Sequence, residues 1–368
     1  MQFDLSEEQQ ELVSMMRALL QQRSGSTAVR AAMTSDSGYD AELWRVLCEE
    51  IGAASLAIPE EYGGAGFTSA ETHLVLEELG YALTPSPFFG SAVLAAQALL
   101  LSGDADACER LLPGIADGSQ IAALAWADAA GNWAPGSVDV TATRAGDAWA
   151  LDGETPLVLF GGIADVVVAI ARTDVGPALF EVTDVDAVER IATPALDPTQ
   201  RFATLGFAGV PAKMLAAGSD ARLDVLRDRA LTAITALQVG AAARGLDMTV
   251  AYAGQRVQFG RTIGSFQALK HRMADMHVEL ETARTASRAA AWAAAHDAPE
   301  LVELAPLAKA RCSDALNRIA GETIQLHGGI AITWEHDAHL VFKRAHATAQ
   351  LLGDADAQRR RIQSSLGL

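Results

Sequence analysis

The sequence predicts an α+β fold in three parts: a helical N-terminal region, a small antiparallel β domain in the middle, and a C-terminal four-helix bundle. Three observations predict it. Apolar residues recur at helical spacing up to about residue 118. Short runs bounded by Gly, Asp or Pro, several rich in Val, Ile and Thr, follow to about residue 217. Beyond that, Gly and Pro become sparse within long Ala-rich periodic segments. The expected divisions are 1–118, 119–217 and 218–368.

The first helix is announced by Ser6, with Gln9 three positions later and Leu12, Val13, Met16, Leu19 and Leu20 beyond, which is a capping box leading into helical periodicity. Further helices are expected around Ala41 to Ile51, Ser69 to Gly80 and Gly90 to Ser102, separated by the turn clusters Pro59 to Gly66 and Thr84 to Pro87. The middle region reads as strands around Ile121 to Trp126, Val138 to Arg144, Ala148 to Asp152, Leu157 to Phe160, Val166 to Ala171 and Ala178 to Val182, with a hairpin turning at Gly146-Asp147. Long helices are expected over 222–254, 265–296 and 300–326. In the middle one, Phe266, Leu269, Met273, Met276 and Leu280 recur at steps of three and four and share one face.

Composition narrows the function. With 28 basic and 46 acidic side chains the formal charge is −18, which argues against a general nucleic-acid binder, since phosphate attraction needs basic clustering. Cys48, Cys108 and Cys312 lie far apart, with no spacing for a zinc site or a disulfide framework. The start Met1-Gln2-Phe3-Asp4 lacks the basic and apolar character of a secretory signal. The apolar run around Leu157 to Ala171 is broken by Gly161, Gly162 and Asp165. A cytoplasmic protein without a membrane span is expected.

Two stretches carry candidate chemistry. Arg256-Val257-Gln258-Phe259-Gly260-Arg261, continuing to Gln267, joins two long helices, and Arg256, Arg261, Lys270 and Arg272 place four cations within 17 positions. At a glycine-containing helix start this makes an anion site, although on composition alone a solvated basic turn fits equally well. In Gln325-Leu326-His327-Gly328-Gly329, paired glycines end a helix where one would cap it, leaving the second free for close approach of a ligand. His336 and His339, at i and i+3, are read as exposed or packed side chains rather than metal ligands.

These motifs, in this order and about 70 residues apart, resemble those of the acyl-CoA dehydrogenase family. The resemblance extends to the Asp4-Leu-Ser-Glu-Glu-Gln start, the Pro59 to Gly66 turn and the helical, β, helical order. It implies a flavoenzyme with FAD at a subunit interface, its adenine and pyrophosphate end held by one subunit and its ring by the neighbour. By position, Arg256 would meet the pyrophosphate with Gln258, Phe259 and Gln267 nearby, while Gln325, Gly328 and Gly329 would pack on the dinucleotide. The implied reaction is α,β-desaturation of an acyl-CoA thioester, within β-oxidation-type lipid metabolism. A carboxylate removes the α proton as hydride leaves the β carbon.

The sequence departs from the family at that carboxylate. Counting from Gly328-Gly329 puts Leu352 at the usual Glu position, and the alternative position at the start of the first long C-terminal helix falls near Ala230, two residues from Asp228. No catalytic base is assigned; Asp228, Glu335 and Asp337 are the nearby acids. The segment that usually presents an aromatic and a hydroxyl to the flavin ring is Pro156-Leu157-Val158-Leu159-Phe160, and Trp126 and Trp133 read as sheet core. The dinucleotide half is thus intact and the ring half eroded, which implies a subunit of an α2β2 heterotetramer whose paralogous partner holds the base. Two other readings stay open: a self-sufficient homotetramer, dehydrogenase or flavin monooxygenase, using a non-standard acid, and a non-catalytic interaction subunit. The resemblance implies an electron-transfer flavoprotein as electron acceptor for a dehydrogenase.

Overall fold

The computed structural model describes residues 5–146, 148–365 and 367. Asp4 and Asp147, which the sequence reading used at the chain start and in the hairpin turn, lie outside the described residues. In chain order the first helices are α1 (Glu7–Arg23), α2 (Ser26–Thr34), α3 (Ala41–Arg45), α4 (Ser69–Tyr81), α5 (Ala96–Ser102) and α6 (Ala105–Ala116). The strands β1 (Ala122–Ala125), β2 (Thr141–Ala145), β3 (Ala148–Leu159), β4 (Val166–Thr173), β5 (Gly176–Val182), β6 (Glu189–Thr193) and β7 (Phe202–Ala217) follow. After α7 (Leu223–Gln255) come the short strands β8 (Val257–Gln258) and β9 (Arg261–Thr262), then α8 (Gln267–Ala295), α9 (Leu301–His327), α10 (Ala338–Gln350) and α11 (Ala355–Ser365).

The chain forms two compact units. One comprises Met1–Arg30, His73–Thr84 and Leu231–Leu368, the other Ala31–Thr72 and Pro85–Ala230. In the first, the Ser6 hydroxyl accepts from Gln9 N while the Gln9 side chain accepts from Ser6 N, so the expected capping box starts α1. The end of α4 crosses α7 at backbone contact. A Cβ added to Gly240 would stand 1.9 Å from Glu77 O, and one on Gly80 would stand 2.4 Å from Leu237 O. Both positions therefore require glycine, and the crossing is set by them.

Helices α7 to α10 form the C-terminal bundle, with α11 added against α9. Buried polar side chains tie it internally: Gln238 Nε2 donates to Ser313 Oγ at 3.0 Å, and Thr249 Oγ1 bonds Thr323 Oγ1 at 3.2 Å. On the apolar face of α8, Met276 and Leu280 are buried, whereas Phe266, Leu269 and Met273, nearer the Arg256 loop, are half-buried. That face is completed by this unit at one end only.

In the second unit the sheet runs β1-β4-β2-β3-β7-β5, with β6 on β7, and β4 also pairs with β5, so the path closes on itself. Alternate side chains turn inward to a common core that includes Leu151, Val167, Ala169, Phe180 and Leu205. The sequence reading expected an antiparallel sheet; the observed one is mixed, because Ala122 to Ala125 of β1 run parallel to Val166 to Ala169 of β4. Parallel neighbours need a long crossover, here the whole β2–β3 hairpin, and no local turn signal specifies it. No helix among the described residues is long and apolar enough to cross a membrane.

Candidate functional site

The Arg256 loop is a β hairpin. Val257 pairs with Thr262 and Gln258 with Arg261, and both central residues, Phe259 (φ 53°) and Gly260 (φ 75°), are left-handed. A two-residue hairpin loop of this kind matches strand twist, but it strains any residue with a Cβ. Phe259 nevertheless occupies it and is 92% exposed, its ring edge-on to Phe266 at 6.2 Å. The Arg261 guanidinium lies 3.9 Å over the Phe266 ring. The Gln258 side chain donates to the carbonyl of its neighbour Val257, and Gln267 is exposed at the start of α8. The Arg256 side chain is exposed and forms no ion pair among the described residues. In a chain with 46 acidic side chains, that leaves a guanidinium available to an outside anion.

The second motif ends α9. Gly328 has φ 66° and ψ −147°, a conformation open to glycine alone, and its N–H closes the helix on Ile324 O. Gly328 and Gly329 are exposed, and a Cβ at either would meet nothing within 4 Å. Gln325 is also exposed. The fold joins the two motifs through a contact absent from the sequence reading: the Tyr252 ring, one turn before Arg256, stacks on His327 at 4.6 Å. One turn further into each helix, Arg272 of α8 holds Glu322 of α9 at 2.6 Å. His336 and His339 are packed, His336 against His327 and His339 edge-on to Trp334, each at 4.6 Å. The aromatic residues Tyr252 and Trp334 carried no sequence motif, so only proximity reveals them.

Of the three acids considered as a base, Asp337 and Asp228 are paired with arginines and Glu335 is exposed. Asp337 accepts from Arg30 Nη2 at 2.6 Å and Ser26 Oγ at 2.7 Å. Burial pushes its carboxyl up, but those partners outweigh burial and hold it below the usual carboxylate range, which makes it a weak proton acceptor. Asp228, buried in the other unit, stands 3.3 Å from Arg227 Nε, and Glu335 is exposed.

At the positions where counting along the sequence expects a base and ring contacts, apolar side chains sit on left-handed backbone. Leu352, in the turn between α10 and α11, is 3% exposed with φ 64°. Lys309, fully buried, donates to Ser313 Oγ and to the carbonyls of Thr348 and Ala349 just before that turn. Burial lowers its amine to about 7. In the other unit, the β3–β7 pairing shifts register between Thr155 and Val158. Leu157 (φ 58°) sits in that irregularity and Phe160 (φ 53°) ends the strand, buried and edge-on to Tyr39 at 6.1 Å. Trp126 and Trp133 pack edge-to-face at 5.9 Å, both buried, but they lie in the loop between β1 and β2 and not among the residues of the sheet core where they were expected. Asp128 anchors the loop between them, accepting from Ala130 N and Asn132 N.

Comparison with known proteins shows the family. The model of the acyl-CoA dehydrogenase N-terminal domain matches residues 6–119, and that of the C-terminal domain matches residues 225–367. Acyl-CoA dehydrogenase IpdE2 of Mycolicibacterium smegmatis is 41% identical over 364 residues, covering 98% of this chain and 100% of its own. The ChsE4-ChsE5 complex of Mycobacterium tuberculosis contains a chain that superposes with a TM-score of 0.91 at 30% identity, covering 100% of this chain and 99% of that one. A single-residue variant of the Tcur3481-Tcur3483 steroid acyl-CoA dehydrogenase matches with a TM-score of 0.89 at 31% identity over 98% of both chains. The chain therefore belongs to the acyl-CoA dehydrogenase family, whose members are oxidoreductases of lipid metabolism that work with FAD.

Proposed function

We propose that the chain is one subunit of a heteromeric acyl-CoA dehydrogenase that desaturates a bulky thioester, such as one carrying a steroid side chain. In this reading it supplies the dinucleotide end of the flavin site, and a paralogous subunit supplies the base and the ring contacts. The observation that carries the reading is Leu352: a side chain unable to accept a proton fills the family's base position, buried and on left-handed backbone. The two-component names of the ChsE4-ChsE5 and Tcur3481-Tcur3483 neighbours support it.

The residues present fit one end of the cofactor. Arg256, exposed and without an ion pair among the described residues, has the fixed fork of donors that pyrophosphate oxygens require, with Gln258, Phe259 and Gln267 beside it. Gln325 and the uncrowded Gly328 and Gly329 let a ligand approach the backbone. They do not fit the ring end, where Leu157 and Phe160 replace polar and stacking contacts. FAD, when bound, supplies the hydride acceptor. This chain's part is to bind and orient it, and proton abstraction falls to the partner. The reading also takes 1–118, 119–217 and 218–368 as the domain division, an electron-transfer flavoprotein as acceptor, and a cytoplasmic location, the last supported by three free, buried cysteines.

The test is an absorption spectrum and light-scattering mass of the chain purified alone and with a co-expressed paralogous subunit, each titrated anaerobically with acyl-CoA thioesters. The expected result is flavin that bleaches on substrate in the complex only. Stoichiometric flavin that bleaches in the lone chain would overturn the proposal.

A further inference from the structure

Between His327, the last residue of α9, and His336, two residues before α10, lies the exposed segment that begins with Gly328 and Gly329. Its two ends meet, because the rings of His327 and His336 lie 4.6 Å apart, and Tyr252 of α7 stacks on His327 at 4.6 Å and stands edge-on to His336 at 6.4 Å. Between them Ile332 and Trp334 are 75% and 62% exposed and Ala331 alone of residues 328–335 is buried, so the segment has little core of its own, and the Trp334 ring rests on His339 and Lys343 of α10.

Hydrogen bonds define both tautomers. His327 Nδ1 faces Thr323 O at 2.7 Å, and a carbonyl only accepts, so Nδ1 carries the proton. His336 Nδ1 accepts from Ala338 N at 3.1 Å and is bare. That bond caps α10, since Asp337 at the cap position makes no capping bond and is drawn instead to Arg30 and Ser26.

We propose that His336 is a positioning residue of the dinucleotide half-site: neutral, it clasps His327 and caps α10, holding residues 328–335 in their receiving shape, and protonated, it releases them. A protonated ring has no lone pair at Nδ1 for Ala338 and sets a cation against the buried His327. The groups facing His336 are Arg244 and Tyr252 of α7, His327 of α9, Arg30 of α2, His339 of α10, and Asp337 beside it; Asp337 alone favours the charge. Burial, then Arg244 and Arg30, oppose it and outweigh Asp337, so the ring titrates below the ordinary histidine range. The unfolded chain takes up this proton first, and the clasp therefore weakens as pH falls below about 6.5. The proposal rests on the reading of this segment as a dinucleotide site.

The test is amide hydrogen exchange of the full chain at pH 7.5 and 5.5, corrected for intrinsic rates, in wild type, His336→Phe and His336→Asn. Phe keeps a ring that cannot titrate, and Asn keeps an acceptor near the Nδ1 position without the ring. Wild-type protection of residues 328–335 and of Ala338 is expected to fall about tenfold at the lower pH, while both variants show no such fall. A pH-independent wild type, the same fall in His336→Phe, or an equal fall in the interior amides of α9 would overturn the clasp. Flavin retention by the co-expressed complex at the two pH values separates the readings. A clasp that opens while flavin retention stays constant supports the clasp and removes the dinucleotide role from the segment.

Discussion

The arginine and glycine end of the site and the positions of the missing base and ring contacts make opposite use of the same constraint. At Phe259 and Gly328 the backbone is left-handed and both residues are exposed, and Arg256 beside Phe259's hairpin forms no ion pair among the described residues. At Leu157, Phe160 and Leu352 the backbone is again left-handed, yet the side chains are apolar and at least half-buried in their own unit. Such backbone costs about 1–3 kcal/mol per residue and persists only where its surroundings impose it. Under the proposed reading, the expected base and ring positions keep an unusual backbone without the side chains that would do the chemistry there, whereas the proposed dinucleotide end keeps both.

The sharpest way to break the contrast is to rebuild the closed end. Leu352→Glu puts a carboxylate where leucine is 3% exposed, and is expected to lower unfolding stability by about 3 kcal/mol in denaturant titration. It is expected to create no acyl-CoA-dependent bleaching in the lone chain, since Leu157 and Phe160 remain; bleaching would mean that one residue separates this chain from a complete enzyme. At the open end, Arg256→Ala in the co-expressed complex should weaken flavin binding by about 10- to 100-fold, the worth of a charge-assisted pair, read from fluorescence of released flavin. Unchanged retention would remove Arg256 from the site.

Lys309 tests what holds the Leu352 turn from beneath. Its buried amine sits near 7 in the folded chain against about 10.4 unfolded, so between these values the unfolded state binds more protons. Stability is expected to rise with pH over that range, by at most about 1.4 kcal/mol per pH unit, and Lys309→Met should flatten the slope measured by urea unfolding. The smallest effect is expected at Asp337. Asp337→Asn removes the charge partner of Arg30, for a loss of about 1 kcal/mol, and leaves the pH dependence of turnover by the complex unchanged. A lost basic limb in that profile would make Asp337 the base.

Much of this was legible in sequence because it is local. The Ser6 and Gln9 cap, the long helices now seen as α7, α8 and α9, and the doubled glycine after Leu326 are written in contiguous residues. Other elements were not. The 16-residue β7 contains Gly206, Gly209 and Pro211, which mask strand periodicity, and it forms because β3, β5 and β6 pair along its two edges. The eroded half of the site could be counted from Leu352 and Leu157, but not that both would keep left-handed backbone.

What the sequence by itself determined was element type and motif chemistry, through propensities, caps and side-chain periods that act within a few residues. The tertiary structure alone decided that β1 lies parallel to β4, that Tyr252 meets His327, and that Asp337 is drawn to Arg30 rather than left free as a base. Each of these joins residues distant in the chain, where closure is governed by packing of the whole unit and no local preference can specify the partner.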